Sequence, residues 1–133
     1  MDKRRPKDAS DLKGKTGLRR LLNATKYSAQ GFRGAWQTEE AFRQEAILAC
    51  ILIPVAILLP VSTIEKLLLI LGVFIVLIVE ILNSAIEAVV DRFGGEIHPL
   101  SGKAKDLGSA AVLLGLIICA IIWCSILFTN FIF

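Results

Sequence analysis

From Leu67 to Val79 the chain runs for thirteen residues without a polar side chain, then places a carboxylate, Glu80, directly in the apolar pattern. Asn83, Ser84 and Glu87 follow within the next two turns. An acidic residue at the centre of a bilayer costs roughly 2.5 to 3.5 kcal/mol, so such groups are rare, turn toward protein or water, and carry function.

Hydrophobic residues are 55% of the 133, above the range of soluble domains, and mean hydropathy is positive. The apolar excess falls into three segments, about 46–64, 67–90 and 107–130, each near the ~20 residues that cross a hydrocarbon core. The first is the shortest and contains Pro54 and Pro60, so its helix is expected to start inside the preceding segment. No short apolar core follows the basic N-terminus, so no cleavable signal peptide is expected. Of the fifteen Lys and Arg, eleven precede the first span and only Lys66 lies in the first connection; Arg92, Lys103 and Lys105 are in the second. By the positive-inside rule, the N-terminus and the 91–106 loop are cytoplasmic and the C-terminus faces outward. The net charge of +3 then answers to topology and anionic headgroups, with no aromatic-basic platform for nucleic acid. Cys50, Cys119 and Cys124 all lie in spans without CxxC spacing and read as small packing residues.

Along the chain, 1–16 reads as a disordered basic tail and 17–133 as a single three-span domain. Leu18, Leu21, Leu22, Ala29, Phe32 and Trp36 form a stripe at helical spacing, which predicts an amphipathic helix on the cytoplasmic leaflet. Gly31 and Gly34 weaken it locally. Thr38 before Glu39 and Glu40 resembles an N-cap, so a break is expected near Gln37. Phe93-Gly94-Gly95 closes the second span with a left-handed glycine, and Gly94 to Lys103 reads as a loop. The third span is expected from about Ala104, with Ala104, Gly108, Ala111 and Gly115 placing small residues along one side for close helix approach. Three helices bury little alone, so an oligomer is the default.

Seven residues turn an α-helix through about 700°, so Glu80 and Glu87 lie within ~20° of one line and ~10 Å apart. Asn83, Ser84 and Asp91 flank that line. Glu39, Glu40, Lys105 and Asp106 are the other acids and bases near the same boundary. Carboxylates and an amide at that boundary suit Mg²⁺ with phosphate oxygens, and lysine and arginine suit the phosphates. Bland readings stand beside these: Asn83 and Ser84 as interhelical packing, Glu87 and Asp91 as solvated helix ends, His98 as a lone loop histidine. The stretch 97–104 is not a P-loop, since Ile97 stands where the motif needs Gly and Ala104 where it needs Ser or Thr. Protein-kinase signatures are absent too.

The block Glu80-Ile81-Leu82-Asn83-Ser84-Ala85-Ile86-Glu87-Ala88-Val89-Val90-Asp91-Arg92, with Gly102-Lys103-Ala104-Lys105-Asp106-Leu107-Gly108-Ser109-Ala110-Ala111-Val112, closely resembles the bacterial integral-membrane diacylglycerol kinase family. The resemblance continues upstream through Gly17 to Arg20, Tyr27-Ser28, Gly34-Ala35-Trp36 and Ala41 to Glu45. It implies an all-α membrane protein: three transmembrane helices plus an N-terminal amphipathic surface helix, a homotrimer in the bacterial inner membrane. The implied activity is transfer of the γ-phosphoryl of MgATP to diacylglycerol. By position, Glu80 resembles the general base, and Glu39 and Glu87 the carboxylates that hold the metal with ATP. Arg20, Tyr27, Lys105 and Asp106 resemble nucleotide contacts, with Glu96, Ile97 and His98 near the purine. Arg20, Ser28, Trp36, Arg43, Gln44, Glu45, Glu80 and Ser109 fall at lipid-substrate positions, supported by Asn83, Ser84 and Asp91. The tail has no counterpart.

A polyprenol kinase on the same scaffold is the nearest alternative. A small proton-coupled transporter using Glu80 gives no role to Glu39, Lys105 or Asp106, and a non-catalytic subunit leaves the membrane-embedded acid unexplained.

Overall fold

The computed structural model describes residues 17–132; the 1–16 tail lies outside the described residues. The fold is all-α, with α1 (Leu18–Thr38), α2 (Glu40–Leu58), α3 (Thr63–Asp91) and α4 (Pro99–Phe131). Helices α2, α3 and α4 are each long and apolar enough to cross a membrane. The chain divides into two compact units, the first ending at Gly34 and the second starting at Ala35.

The first unit holds most of α1. Gly17, at φ 71°, turns the chain into the helix, and its carbonyl accepts from the N–H of Arg20 and Leu21. The helix runs through Gly31 and Gly34 without interruption.

In the second unit the expected break falls at Glu39, one residue past Thr38. Glu39 is extended (φ −104°, ψ 109°) and stands at the N-cap of α2 without a side-chain cap bond, while the Thr38 hydroxyl donates to its carboxylate at 2.8 Å. Arg43 Nη1 donates to the carbonyls of Trp36 and Gln37 at 3.0 and 3.2 Å, satisfying acceptors that the end of α1 leaves free. Helix α2 therefore begins at Glu40, ahead of the apolar segment that reveals it, as expected. It ends at Leu58 rather than near 64. Leu59 is extended (φ −60°, ψ 139°) because it precedes Pro60, whose ring disfavours helical backbone at the residue before it. Pro54 is accommodated inside the helix.

Helix α3 opens on a capping box. Ser62 Oγ accepts from the Glu65 N–H at 3.3 Å, and Glu65 Oε2 accepts from the Ser62 N–H and Oγ at 2.8 and 2.7 Å. The other oxygen of Glu65 accepts from Asn130 Nδ2 at 2.8 Å, tying the start of α3 to the end of α4. Ser62→Ala should cost about 0.5 to 2 kcal/mol of stability, read as a shift of the unfolding midpoint in detergent; an unchanged midpoint would show that this cap contributes nothing.

Helix α3 is central, packed against α2 and α4. The α3–α4 seam is antiparallel and built on glycine: Gly72 faces Cys119, Gly115 faces Val76, and Gly108 faces Asn83. A Cβ at 72 would stand 3.4 Å from Cys119 Cα, and one at 115 would stand 3.8 Å from Val76 Cα, so the backbones approach closely at both. Of the four small residues expected on one side of α4, Gly108 and Gly115 are buried, Ala104 is half-buried and Ala111 is exposed. Toward the Ser62 end, Ala56, Leu69 and Ile126 form a buried cluster, and Trp123 Nε1 donates to the Leu69 carbonyl at 3.2 Å.

Gly94 (φ 82°) closes α3 as expected. The following loop is shorter than the sequence indicates, because α4 starts at Pro99 rather than near Ala104. Proline at the first helical position needs no N–H partner, and His98 caps the turn through Nδ1, which accepts from the Leu100 N–H at 3.2 Å.

Candidate active site

Glu80 is the buried charged residue of the described chain, 5% exposed on the central helix. Two acids act on it electrostatically: Glu87, two turns on along α3, and Glu39, at the N-cap of α2. Glu80 in turn acts on Glu45, one and a half turns into α2. Four carboxylates from two helices thus share one neighbourhood, and an array of like charges there calls for a counter-charge.

Asn83 Nδ2 donates to Glu87 Oε1 at 3.2 Å. Next to it, Lys105 Nζ pairs with Asp91 Oδ1 at 2.7 Å and also feels the charge of Glu87. That pair is largely exposed and screened by solvent, so it adds little stability; it serves to place an ammonium beside the carboxylates. Among the described residues, three buried side-chain atoms have no hydrogen-bond partner: Glu45 Oε2, Asn83 Oδ1 and Ser84 Oγ. Buried polar atoms are ordinarily satisfied, so Glu45 Oε2 on α2 and Ser84 Oγ on α3 are left to meet something else, while Asn83 Oδ1 turns toward Gly108.

A pocket of about 330 Å³, counted to its open mouth, lies between α2, α3 and α4, with Glu45 on its wall. Below Glu45 the lining is apolar, including Leu52, Val73, Val76, Leu116 and Cys119.

The second unit brings together Glu39, Glu45, Glu80, Asn83, Glu87, Asp91 and Lys105. Ser84 lies half-buried on the same stretch of α3. Asp106 and Ser109 are exposed on the first turns of α4, and Glu96, Ile97 and His98 are exposed in the loop before it. Trp36 is exposed, and Gln44 Nε2 contacts Glu40 Oε1 at 3.4 Å. Arg20, Tyr27 and Ser28 lie on α1 in the first unit, where the Ser28 hydroxyl donates to the Ala24 carbonyl at 3.0 Å. Among the described residues no three His, Cys, Asp or Glu side chains stand close enough together to hold a metal by themselves. The donor set still fits Mg²⁺, which takes one or two carboxylates and completes its shell with phosphate oxygens and water.

The sequence profile of prokaryotic diacylglycerol kinase matches residues 26–127. The chain belongs to that family. The diacylglycerol kinase of Escherichia coli strain K12 is 53% identical over 116 residues, covering 87% of this chain and 95% of the relative. That of Haemophilus influenzae is 54% identical over 113 residues (85% and 96%), and that of Pseudomonas aeruginosa 54% over 118 residues (89% and 96%). In this family member the acids, the amide and the lysine all fall inside the matched stretch. Spacing along α3 reveals Glu80, Asn83 and Glu87. The approach of Glu45 to Glu80 has no such signal, because it depends on how α2 crosses α3.

Proposed function

We propose that this chain transfers the γ-phosphoryl of MgATP to the free hydroxyl of 1,2-diacylglycerol, giving phosphatidic acid and MgADP. The observation that carries the reading is the buried Glu80, set among acids of which Glu45 stands on the wall of an apolar slot, in a member of the diacylglycerol kinase family. Phosphoryl transfer asks mainly for positioning and charge neutralisation, so it needs no P-loop.

Glu80 accepts the proton of the lipid hydroxyl as its oxygen bonds to the γ-phosphorus and the bond to the ADP oxygen breaks. Glu39 and Glu87 would hold Mg²⁺ with the nucleotide, and the ion would supply neutralisation of phosphate charge. Lys105 and Arg20 address the phosphates; Tyr27, Asp106, Glu96, Ile97 and His98 complete the nucleotide side. The slot beneath Glu45 takes acyl chain, while Ser28, Trp36, Arg43, Gln44 and Ser109 contact the lipid substrate near its headgroup. Asn83, Ser84 and Asp91 support the acids. The protein sits in the bacterial inner membrane as a homotrimer, its basic N-terminus and 91–106 loop cytoplasmic, its C-terminus outward, and α1 lying amphipathically on the leaflet.

The test is purified protein in mixed micelles with MgATP and either diacylglycerol or undecaprenol, scoring lipid phosphate. Phosphatidic acid is expected; undecaprenyl phosphate in its place would overturn the acceptor. The same preparation should have the mass of three chains plus detergent, and full turnover at a monomer's mass would remove the trimer.

A further inference from the structure

Gly108 is buried at the seam, and the three nearest atoms to a Cβ built on it all belong to one side chain, Asn83. That Cβ would overlap Asn83 Oδ1 and stand 3.2 Å from Asn83 Cγ. Gly72 and Gly115 differ: a Cβ there would meet α-carbons and apolar side chains at 3.4 to 3.9 Å, ordinary or slightly tight contact. At those two positions glycine serves helix approach. At 108 it makes room for a carboxamide.

The carboxamide is held from both ends. Its oxygen is buried without a hydrogen-bond partner, occupying the space a side chain at 108 would fill, where the Gly108 α-hydrogen is its neighbour. Its nitrogen donates to Glu87 Oε1 at 3.2 Å. Turned end for end, the amide would set its oxygen against the Glu87 carboxylate, so one orientation is favoured.

We propose that Gly108 is a positioning residue: the notch left by its missing side chain seats the Asn83 carboxamide, which holds the Glu87 carboxylate in the orientation that the nucleotide-bound cation requires. This rests on the reading of Glu87 given above. The colliding atom is the far end of a rotatable side chain, so Gly108→Ala displaces the amide and leaves the helices in place. Groups that orient a ligating carboxylate typically carry 10- to 100-fold in affinity or activity.

The experiment measures binding of Mn²⁺ together with a non-hydrolysable ATP analogue by electron paramagnetic resonance, alongside the Mg²⁺ requirement for turnover and the thermal midpoint. Gly108→Ala should weaken Mn²⁺ binding about 10- to 100-fold with an unchanged midpoint. Asn83→Ala should lose a similar factor, and the double variant no more than Asn83→Ala alone. Wild-type Mn²⁺ affinity in Gly108→Ala overturns the proposal, as do losses that multiply in the double variant. A midpoint that falls in both backgrounds assigns the glycine to helix packing and overturns it equally. Glu87→Gln separates the two levels: full affinity there removes the role of Glu87 and this inference with it. Weakened binding in Glu87→Gln with none in Gly108→Ala removes the inference alone.

Discussion

Glu80→Gln should lower kcat by roughly 10² to 10⁴ while leaving the affinity for MgATP nearly intact, because a general base acts in the transition state and not in nucleotide binding. Glutamine keeps the volume and a polar head, so the fold has no reason to change. The buried carboxylate at 5% exposure carries a desolvation cost and the repulsion of its acidic neighbours. Replacing it should therefore leave the thermal midpoint unchanged or raise it. Turnover lost with stability kept or gained is the pattern of a group retained for chemistry. The measurements are lipid phosphorylation, nucleotide binding and thermal unfolding on the same variant. Near-normal kcat would sink the assignment of the base, and with it the reading of the site.

Glu39→Gln and Glu87→Gln should behave differently. Each removes a charged oxygen ligand while the rest of the site persists, so the Mg²⁺ concentration for half-maximal rate should rise by about 10- to 100-fold, and nucleotide use should weaken with it. Excess Mg²⁺ should recover part of the rate in these variants and none in Glu80→Gln. That contrast separates a carboxylate that binds from one that takes a proton. A Mg²⁺ dependence equal to wild type in both variants would assign the two acids to charge balance around Glu80 and leave the cation to other groups.

The polar face of α3 is legible from sequence because spacing along a single helix is rigid: Glu80, Asn83 and Glu87 fall on one side by arithmetic alone. The three spans are legible for a similar reason, since length and hydropathy act over many residues. Helix ends are harder. The Pro99 that reads as turn chemistry is the first residue of α4, because proline is tolerated in loops and at a helix start alike. The end of α2 at Leu58 follows from the restriction Pro60 places on Leu59, a local effect that hydropathy averages away. The Ser62–Glu65 capping box has a readable signature, serine followed three residues later by glutamate, which the apolar pattern on either side overshadows. The notch at Gly108 is of another kind. Glycine in a stripe of small residues looks like packing, and only the position of Asn83 across the seam distinguishes a place for an amide from a place for a helix.

The antiparallel seam also settles how this protein can respond to the thickness of its bilayer. Toward one end Asn130 grips Glu65, toward the other Lys105 meets Asp91, and between them stand three glycine contacts in matched register on the two helices. A slide of one helical turn, about 5.4 Å, would part all of these at once. Helices α3 and α4 are therefore a strut of fixed length, and a thinner or thicker membrane is met by tilting the strut as one piece. Counted from Glu65, Glu80 lies fifteen residues along, about 22 Å. Against a hydrocarbon layer of ~30 Å, that count, rather than any contact of its own, sets the depth of the Glu80 carboxylate.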